Sequence, residues 1–146
     1  MSQEFKHSKQ RDALLSLLQS VTCHPSAEWL YVELKKTLPK ISLATVYRNL
    51  GVLCENRDAI RLDVGDGMIH YDAQTFDHSH FYCTVCHSLS DIDNRETDRM
   101  DRALEEKYGV KIESHSLIFY GKCHTCCQNE AALSHQPEER SVSSEP

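Results

Sequence analysis

The stretch His78-Ser79-His80-Phe81-Tyr82-Cys83-Thr84-Val85-Cys86 constrains this chain more than any other. Two histidines two residues apart run into a C-x-x-C, and a second C-x-x-C follows at Cys123 and Cys126. In an extended strand side chains alternate between faces, which puts His78, His80 and Tyr82 on one side and Cys83 on the other. In a helix the two imidazoles would diverge by roughly 200°. A strand therefore predicts two metal sites back to back, one of nitrogen and oxygen, one of sulfur. Cys83, Cys86, Cys123 and Cys126 can close a tetrahedral zinc shell, with Zn–S distances of about 2.3 Å. The first pair follows the first strand of this half and the second pair follows the last, so one ion would staple its ends together. A closed sulfur shell has no open position, which makes its role structural; a thiol redox pair is the rival reading. Cys127 is adjacent and extra, and Cys23 and Cys54 read as buried or incidental.

A chain of 146 residues makes one domain or two small ones, and halves of that size need a metal, a disulfide or a partner subunit. The N-terminal residues are polar, unlike a signal peptide, and no apolar run approaches the ~18 residues of a membrane span. A cytoplasmic location is expected. There, 7 cysteines, an odd number, read as metal ligands before disulfides. The net charge of -6 argues against nucleic acid until its distribution is examined. Residues 1–57 hold 8 basic and 5 acidic side chains, net +3, whereas residues 73–146 hold 7 and 13, net -6. A locally basic face matters more for phosphate contact than the whole-chain sum.

Leu14, Leu17, Leu18 and Val21 form the stripe of a first helix over 6–20, with Arg11 among the basic residues preceding it. Pro25 suits the first turn of a second helix, whose face carries Ala27, Leu30, Tyr31, Leu34 and Leu38. Ser42 caps a third helix with Val46, Leu50 and Leu53 toward the core and Thr45 and Arg48 outward, Tyr47 at the flank. Small and polar residues followed by Arg and Tyr suit a helix entering the major groove; an ordinary amphipathic surface helix is the plainer alternative. An alternating run over 59–64, a Gly65-Asp66-Gly67 turn and a return over 68–71 predict a hairpin. Three helices and a hairpin is the order of a winged helix-turn-helix, with Arg61 available for phosphate.

The expected fold class is thus α+β: a winged-helix domain over 1–72, a hinge over 73–77, and a small α/β dimerisation domain over 78–130 with a three-stranded antiparallel sheet. In that second domain a short strand over 89–93 precedes a helix closed by Gly109, and residues 110–120 read as one long strand. So small a sheet cannot bury both faces, and a second copy would cover one. Residues 131–146 read as a disordered tail.

Besides His78 and His80, the nitrogen and oxygen cluster has Asp91 on a strand able to pair beside His80, Asp72 at the hinge, and His24 at a helix start. Imidazoles with one or two carboxylates suit Fe(II), Mn(II) or Zn(II). If His24 and Asp72 join the second domain's ligands, the ion fixes the angle between domains and becomes a switch. The plainer alternative is an exposed histidine pair with acids nearby.

The runs His24-Pro25-Ser26-Ala27 and Ser42-Leu43-Ala44-Thr45-Val46-Tyr47-Arg48-Asn49-Leu50, with Tyr71-Asp72, the His78/His80 pair and both C-x-x-C pairs, resemble the ferric uptake regulator family over residues 8–130. The S-x-A-T-V-Y-R-x-L and H-x-H-x-x-C-x-x-C runs are the specific ones. The resemblance implies a homodimeric, metal-activated repressor that binds an operator in double-stranded DNA, not an enzyme and not a membrane protein. It maps the regulatory site onto His24, Asp72, His78, His80 and Asp91. Asp91, where iron-uptake members commonly have glutamate, is similar to the peroxide-sensing branch. That branch implies Fe(II) chemistry in which peroxide oxidises His24 or His78 and DNA is released, with Mn(II) supporting DNA binding alone. Asp98 and His115 match part of a further metal site of some members, but Ser79 stands where an acidic ligand belongs. The alternatives are a repressor answering iron or zinc supply, and a metalloenzyme built on the His/Asp site. The second lacks a separate base, a nucleophile or a Gly-rich loop.

Overall fold

A computed structural model describes residues 8–133. Helices α1 (Lys9–Ser20), α2 (Ala27–Lys35) and α3 (Leu43–Glu55) come first. Their apolar stripes meet in one core, where Leu14, Leu30, Val46 and Leu50 have no exposed surface. Both later helices start as serine dictates. Ser26 accepts the Trp29 N–H at 3.2 Å and Ser42 accepts the Thr45 N–H at 3.1 Å. Pro25 therefore precedes the α2 cap and is not in its first turn. Its carbonyl instead accepts the Tyr71 N–H at 3.0 Å. The part of the expected first helix before Ser8 lies outside the described residues.

The hairpin follows as β1 (Ile60–Asp63) and β2 (Ile69–Asp72), antiparallel, with Ile60 opposite Asp72. Its turn needs glycine: Gly65 and Gly67 have φ of 80° and 84°. Tyr71 on β2 reaches the helical core, which seats the hairpin against the three helices. The fold class expected from the sequence is the one observed.

After an irregular stretch over 73–78, β3 (Ser79–Cys83), β4 (Leu89–Ile92) and β5 (Ile118–Gly121) form a sheet in the order β4-β3-β5. The sheet is mixed, which corrects the antiparallel expectation. β4 pairs antiparallel with β3, but β5 pairs parallel to it. The connection through α4 (Arg95–Tyr108) carries the chain across β3 to its far edge, so β5 enters in the direction of β3. Gly109 ends α4 at φ 65° and donates its N–H to the Glu105 carbonyl at 2.8 Å. The long strand expected over 110–120 shrinks to its last part. Upstream, the Ile112 N–H is taken by the Glu105 carboxylate at 2.8 Å, not by a neighbouring strand. A last helix, α5 (His124–Leu133), enters the stretch expected to be a tail; residues 134–146 lie outside the described residues.

The two halves differ in how they are held. Among the described residues from Ser79 onward, the buried side chains are Ser79, His80, Tyr82, Cys83, Thr97 and Cys126, with no aliphatic among them. Meanwhile Met100, Leu104 and Phe119 are exposed. Such a half lacks the apolar burial that stabilises a small domain by itself.

Candidate metal centres

β3 carries both centres, one at each end. At its C-terminal end Cys83 is fully buried and Cys86 follows in a tight turn that places His87 at φ 61°. Parallel pairing with β5 sets Cys83 opposite Gly121, which brings the second C-x-x-C alongside. The Cys83 and Cys126 sulfurs are 3.8 Å apart, as are those of Cys86 and Cys123. All four lie within 4.8 Å of one another. Backbone N–H groups near Cys86 and Cys123 hold the Cys83 thiol down to about 6. Hydrogen bonding with Cys123, with burial, pushes Cys126 up to about 12. That divergence is what crowded sulfurs do without a cation: one ionises and its neighbour keeps its proton. A divalent ion removes the conflict, and four sulfurs suit zinc. Cys127 points to the Lys122 carbonyl at 3.6 Å, outside this cluster. Cys23 is exposed and Cys54 half-buried, and neither joins a cluster of metal-binding size among the described residues.

At the other end, five side chains from five segments converge. His24 comes from the loop before α2, Asp72 from the end of β2, His78 from just before β3, His80 from β3 and Asp91 from β4. The register places His80 opposite Asp91, as strand pairing predicts. Asp72 Oδ2 lies 3.2 Å from His24 Nε2, 2.8 Å from His78 Nε2 and 3.4 Å from His80 Nε2. Asp91 Oδ1 lies 2.8, 3.3 and 3.5 Å from the same three nitrogens. His78 Nδ1 donates to the Phe76 carbonyl at 2.8 Å, which turns its Nε2 inward as a ligand must be turned. His24 is buried, its Nε2 faces the two carboxylates, and its Nδ1 makes no hydrogen bond. Burial pushes the His24 imidazole down, but Asp72 and Asp91 outweigh it and hold it above its ordinary value of 6.5. Burial likewise raises Asp72, yet His24 and His80 more than reverse this and hold its carboxyl well below the usual carboxylate range. Three imidazole nitrogens and two carboxylate oxygens at one point fit a borderline divalent ion such as Fe(II) or Mn(II).

The other expected residues are distributed. Ser42 and Thr45 lie at the start of α3, where their hydroxyls meet at 2.8 Å. Tyr47 and Arg48 are exposed on the same helix, and the Tyr47 hydroxyl donates to Glu28 of α2. Arg11 is half-buried on α1 and Arg61 exposed on β1, each on another element. His115 pairs with Asp101 at 2.8 Å, and neither it nor Asp98 enters a cluster of metal-binding size among the described residues.

The family model of the ferric uptake regulators matches residues 2–120. The chain belongs to the ferric uptake regulator family. It is 34% identical over 130 residues to the ferric uptake regulation protein of Bacillus subtilis, covering 86% of this chain and 87% of that one. It is 34% identical over 121 residues to the peroxide operon regulator of the same organism, covering 83% of each. The Campylobacter jejuni peroxide stress regulator superposes with a TM-score of 0.70 at 33% identity, over 80% of this chain and 88% of that one. As a member of the ferric uptake regulator family, the chain is a metal-responsive transcription regulator and not an enzyme. The four-sulfur cluster has the donors that suit zinc, and the His/Asp cluster has those that suit Fe(II) or Mn(II). Among the described residues no helix is long and apolar enough to cross a membrane.

Two outcomes follow from this geometry. Cys123→Ser should release zinc and lower the unfolding temperature of the second half, read by elemental analysis and thermal melting; a zinc-free variant melting like the parent would refute the staple. Metal uptake requires the His24 proton to leave, so Mn(II) affinity should strengthen as pH rises through the raised His24 value. Without metal the sign reverses. The His24 contribution is present below 6.5 and lost as pH rises, and the Asp72 contribution is lost as pH falls into the acid range. Melting curves and Mn(II) titrations across pH check both signs.

Proposed function

We propose that the chain is a homodimeric, metal-dependent repressor that binds double-stranded DNA and senses peroxide through oxidation of a histidine ligand. The observation that carries the reading is the five-residue centre, which draws His24 and Asp72 from the winged-helix half onto His78, His80 and Asp91 of the other half. An ion bound there favours one arrangement of the halves by as much as it prefers that arrangement. Residues 1–72 are the DNA-binding half, with Ser42, Thr45, Tyr47 and Arg48 on the groove-facing part of α3 and Arg11 and Arg61 at phosphates. A second copy covers the exposed Met100, Leu104 and Phe119, supplying the burial that the second half lacks. Zinc at Cys83, Cys86, Cys123 and Cys126 holds that half together.

Peroxide sensing is supported by the uneven exposure of the centre. The side chains of His24, His78, His80 and Asp72 are 2, 4, 3 and 8% exposed, whereas that of Asp91 is 33% exposed. The shorter aspartate arm marks the side from which a small oxidant enters. Fe(II) held by these residues would activate the peroxide O–O bond, and the two electrons that reduce the peroxide come from the imidazole. One oxygen atom of hydrogen peroxide goes to a ring carbon of His24 or His78 and the other leaves as water, so the imidazole is oxidised as the peroxide is reduced. The altered ring is a poorer ligand, the clasp between halves loosens, and DNA is released. Mn(II) holds the halves together without this chemistry. The likeness to the Bacillus subtilis ferric uptake regulation protein favours a second reading, a repressor answering iron supply alone.

Arg48→Ala should cost about 1–3 kcal/mol in binding to an operator selected from random duplexes, with zinc content and dimer unchanged; equal affinity would take α3 out of recognition. Peptide masses after stoichiometric peroxide should show one added oxygen on the His24 or His78 peptide with Fe(II) and none with Mn(II). Unmodified peptides under both metals would leave the supply regulator.

A further inference from the structure

His70 is a buried histidine that belongs to neither metal cluster. Its Nδ1 donates to the backbone carbonyl of His24 at 2.9 Å. Its Nε2 meets Asp66 Oδ2 at 2.8 Å. The other Asp66 oxygen accepts the Met68 N–H at 3.0 Å, so this carboxylate also shapes the hairpin turn. That turn has Gly65 and Gly67 on either side of Asp66, and its other hydrogen bonds are those of the Gly65 N–H to Asp63 and of the Tyr120 hydroxyl to the Val64 carbonyl. On the helix side, His24 sits in an irregular segment with no ladder of its own. The segment is attached to β2 by the Ser26–His70 bridge and by the Tyr71 N–H on the Pro25 carbonyl. The His70 ring carries this attachment on to the turn.

We propose that His70 is a positioning residue for His24: it clamps the backbone of that ligand to the hairpin turn through Asp66, so that metal occupancy and order in the wing are coupled. The inference rests on the reading of His24 as a ligand. Imidazole ligands must present a lone pair within narrow limits, and partners behind the ligands set those limits. A ligand in a loop depends on such partners more than one in a strand, and His24 has no bond on its own Nδ1 to orient the ring. Because the clamp has two ends, the effect runs both ways: an ordered turn favours metal, and metal favours an ordered turn.

The test titrates Mn(II) alone into the zinc-loaded full chain and follows free Mn(II) by its paramagnetic resonance signal. His70→Gln reaches one partner but not both and should weaken Mn(II) binding by about tenfold. Asp66→Ala touches no residue of the centre, yet should weaken binding in the same direction by roughly threefold. The double variant should bind no more weakly than His70→Gln, because both changes open one clamp. Hydrogen exchange at residues 65–68 should slow on Mn(II) addition in the parent and not in His70→Gln. Parent-like Mn(II) affinity in Asp66→Ala with zinc content and melting unchanged would overturn the clamp, as would additive losses in the double variant. If His70→Gln fails to fold, Asp66→Ala and the exchange of the parent turn decide alone. A parent that takes up no Mn(II) would remove the reading of His24 as a ligand, and the inference with it.

Discussion

The Asp72 carboxylate meets three imidazoles from three segments, and the placement of the two halves depends on that contact. One oxygen faces His24, His78 and His80, while the other accepts the Gln74 N–H at 2.7 Å and so fixes the start of the connecting stretch. Burial alone would leave such a carboxylate costly and protonated; the imidazoles keep it ionised. The same group thus ends the hairpin, begins the connection and fills the centre. A change at this point reaches all of these elements.

Stability is divided accordingly. The winged-helix half has a continuous apolar core from Leu14 to Tyr71 and needs no ion to pack. The second half has a sheet of three short strands, a helix with exposed Met100 and Leu104, and a sulfur cluster of buried Cys83 and Cys126, half-buried Cys123 and exposed Cys86. In the proposed reading, zinc at one end of β3 would hold the scaffold that presents His78, His80 and Asp91, and an ion at the other end would act on the orientation of the halves. Tyr120 adds a direct link, its hydroxyl donating to the Val64 carbonyl of the hairpin at 3.0 Å.

Much of this was legible in one dimension. Helix periodicity around Leu14, Leu30 and Leu50, the serine cap at Ser42, and the Gly-Asp-Gly turn are local signals, and local physics decides them. The expected α3 core positions Val46, Leu50 and Leu53 are buried as the stripe requires, although buried Asn49 escaped a hydrophobic pattern. Spacing alone also named the four cysteines, because each pair has only two residues between its thiols. What local patterning missed was non-local. The parallel entry of β5 depends on which edge of β3 the chain crosses to, and a β-branched run over 110–120 cannot say whether a neighbour exists to pair with it. α5 carries too weak an apolar stripe to announce itself, and His70 read as an ordinary strand residue because its two partners lie at His24 and Asp66.

By itself the sequence determined the donor chemistry: sulfur in pairs, imidazoles in alternation, and carboxylates at the ends of strands. Those follow from residue type and spacing along a backbone of fixed geometry. Only the tertiary structure decided that His24 and Asp72 meet His78, His80 and Asp91 within 4.8 Å. That meeting joins residues from before α2 to β4. It is set by how the helical core seats the hairpin and how the sheet registers against it, both of them cooperative outcomes of packing.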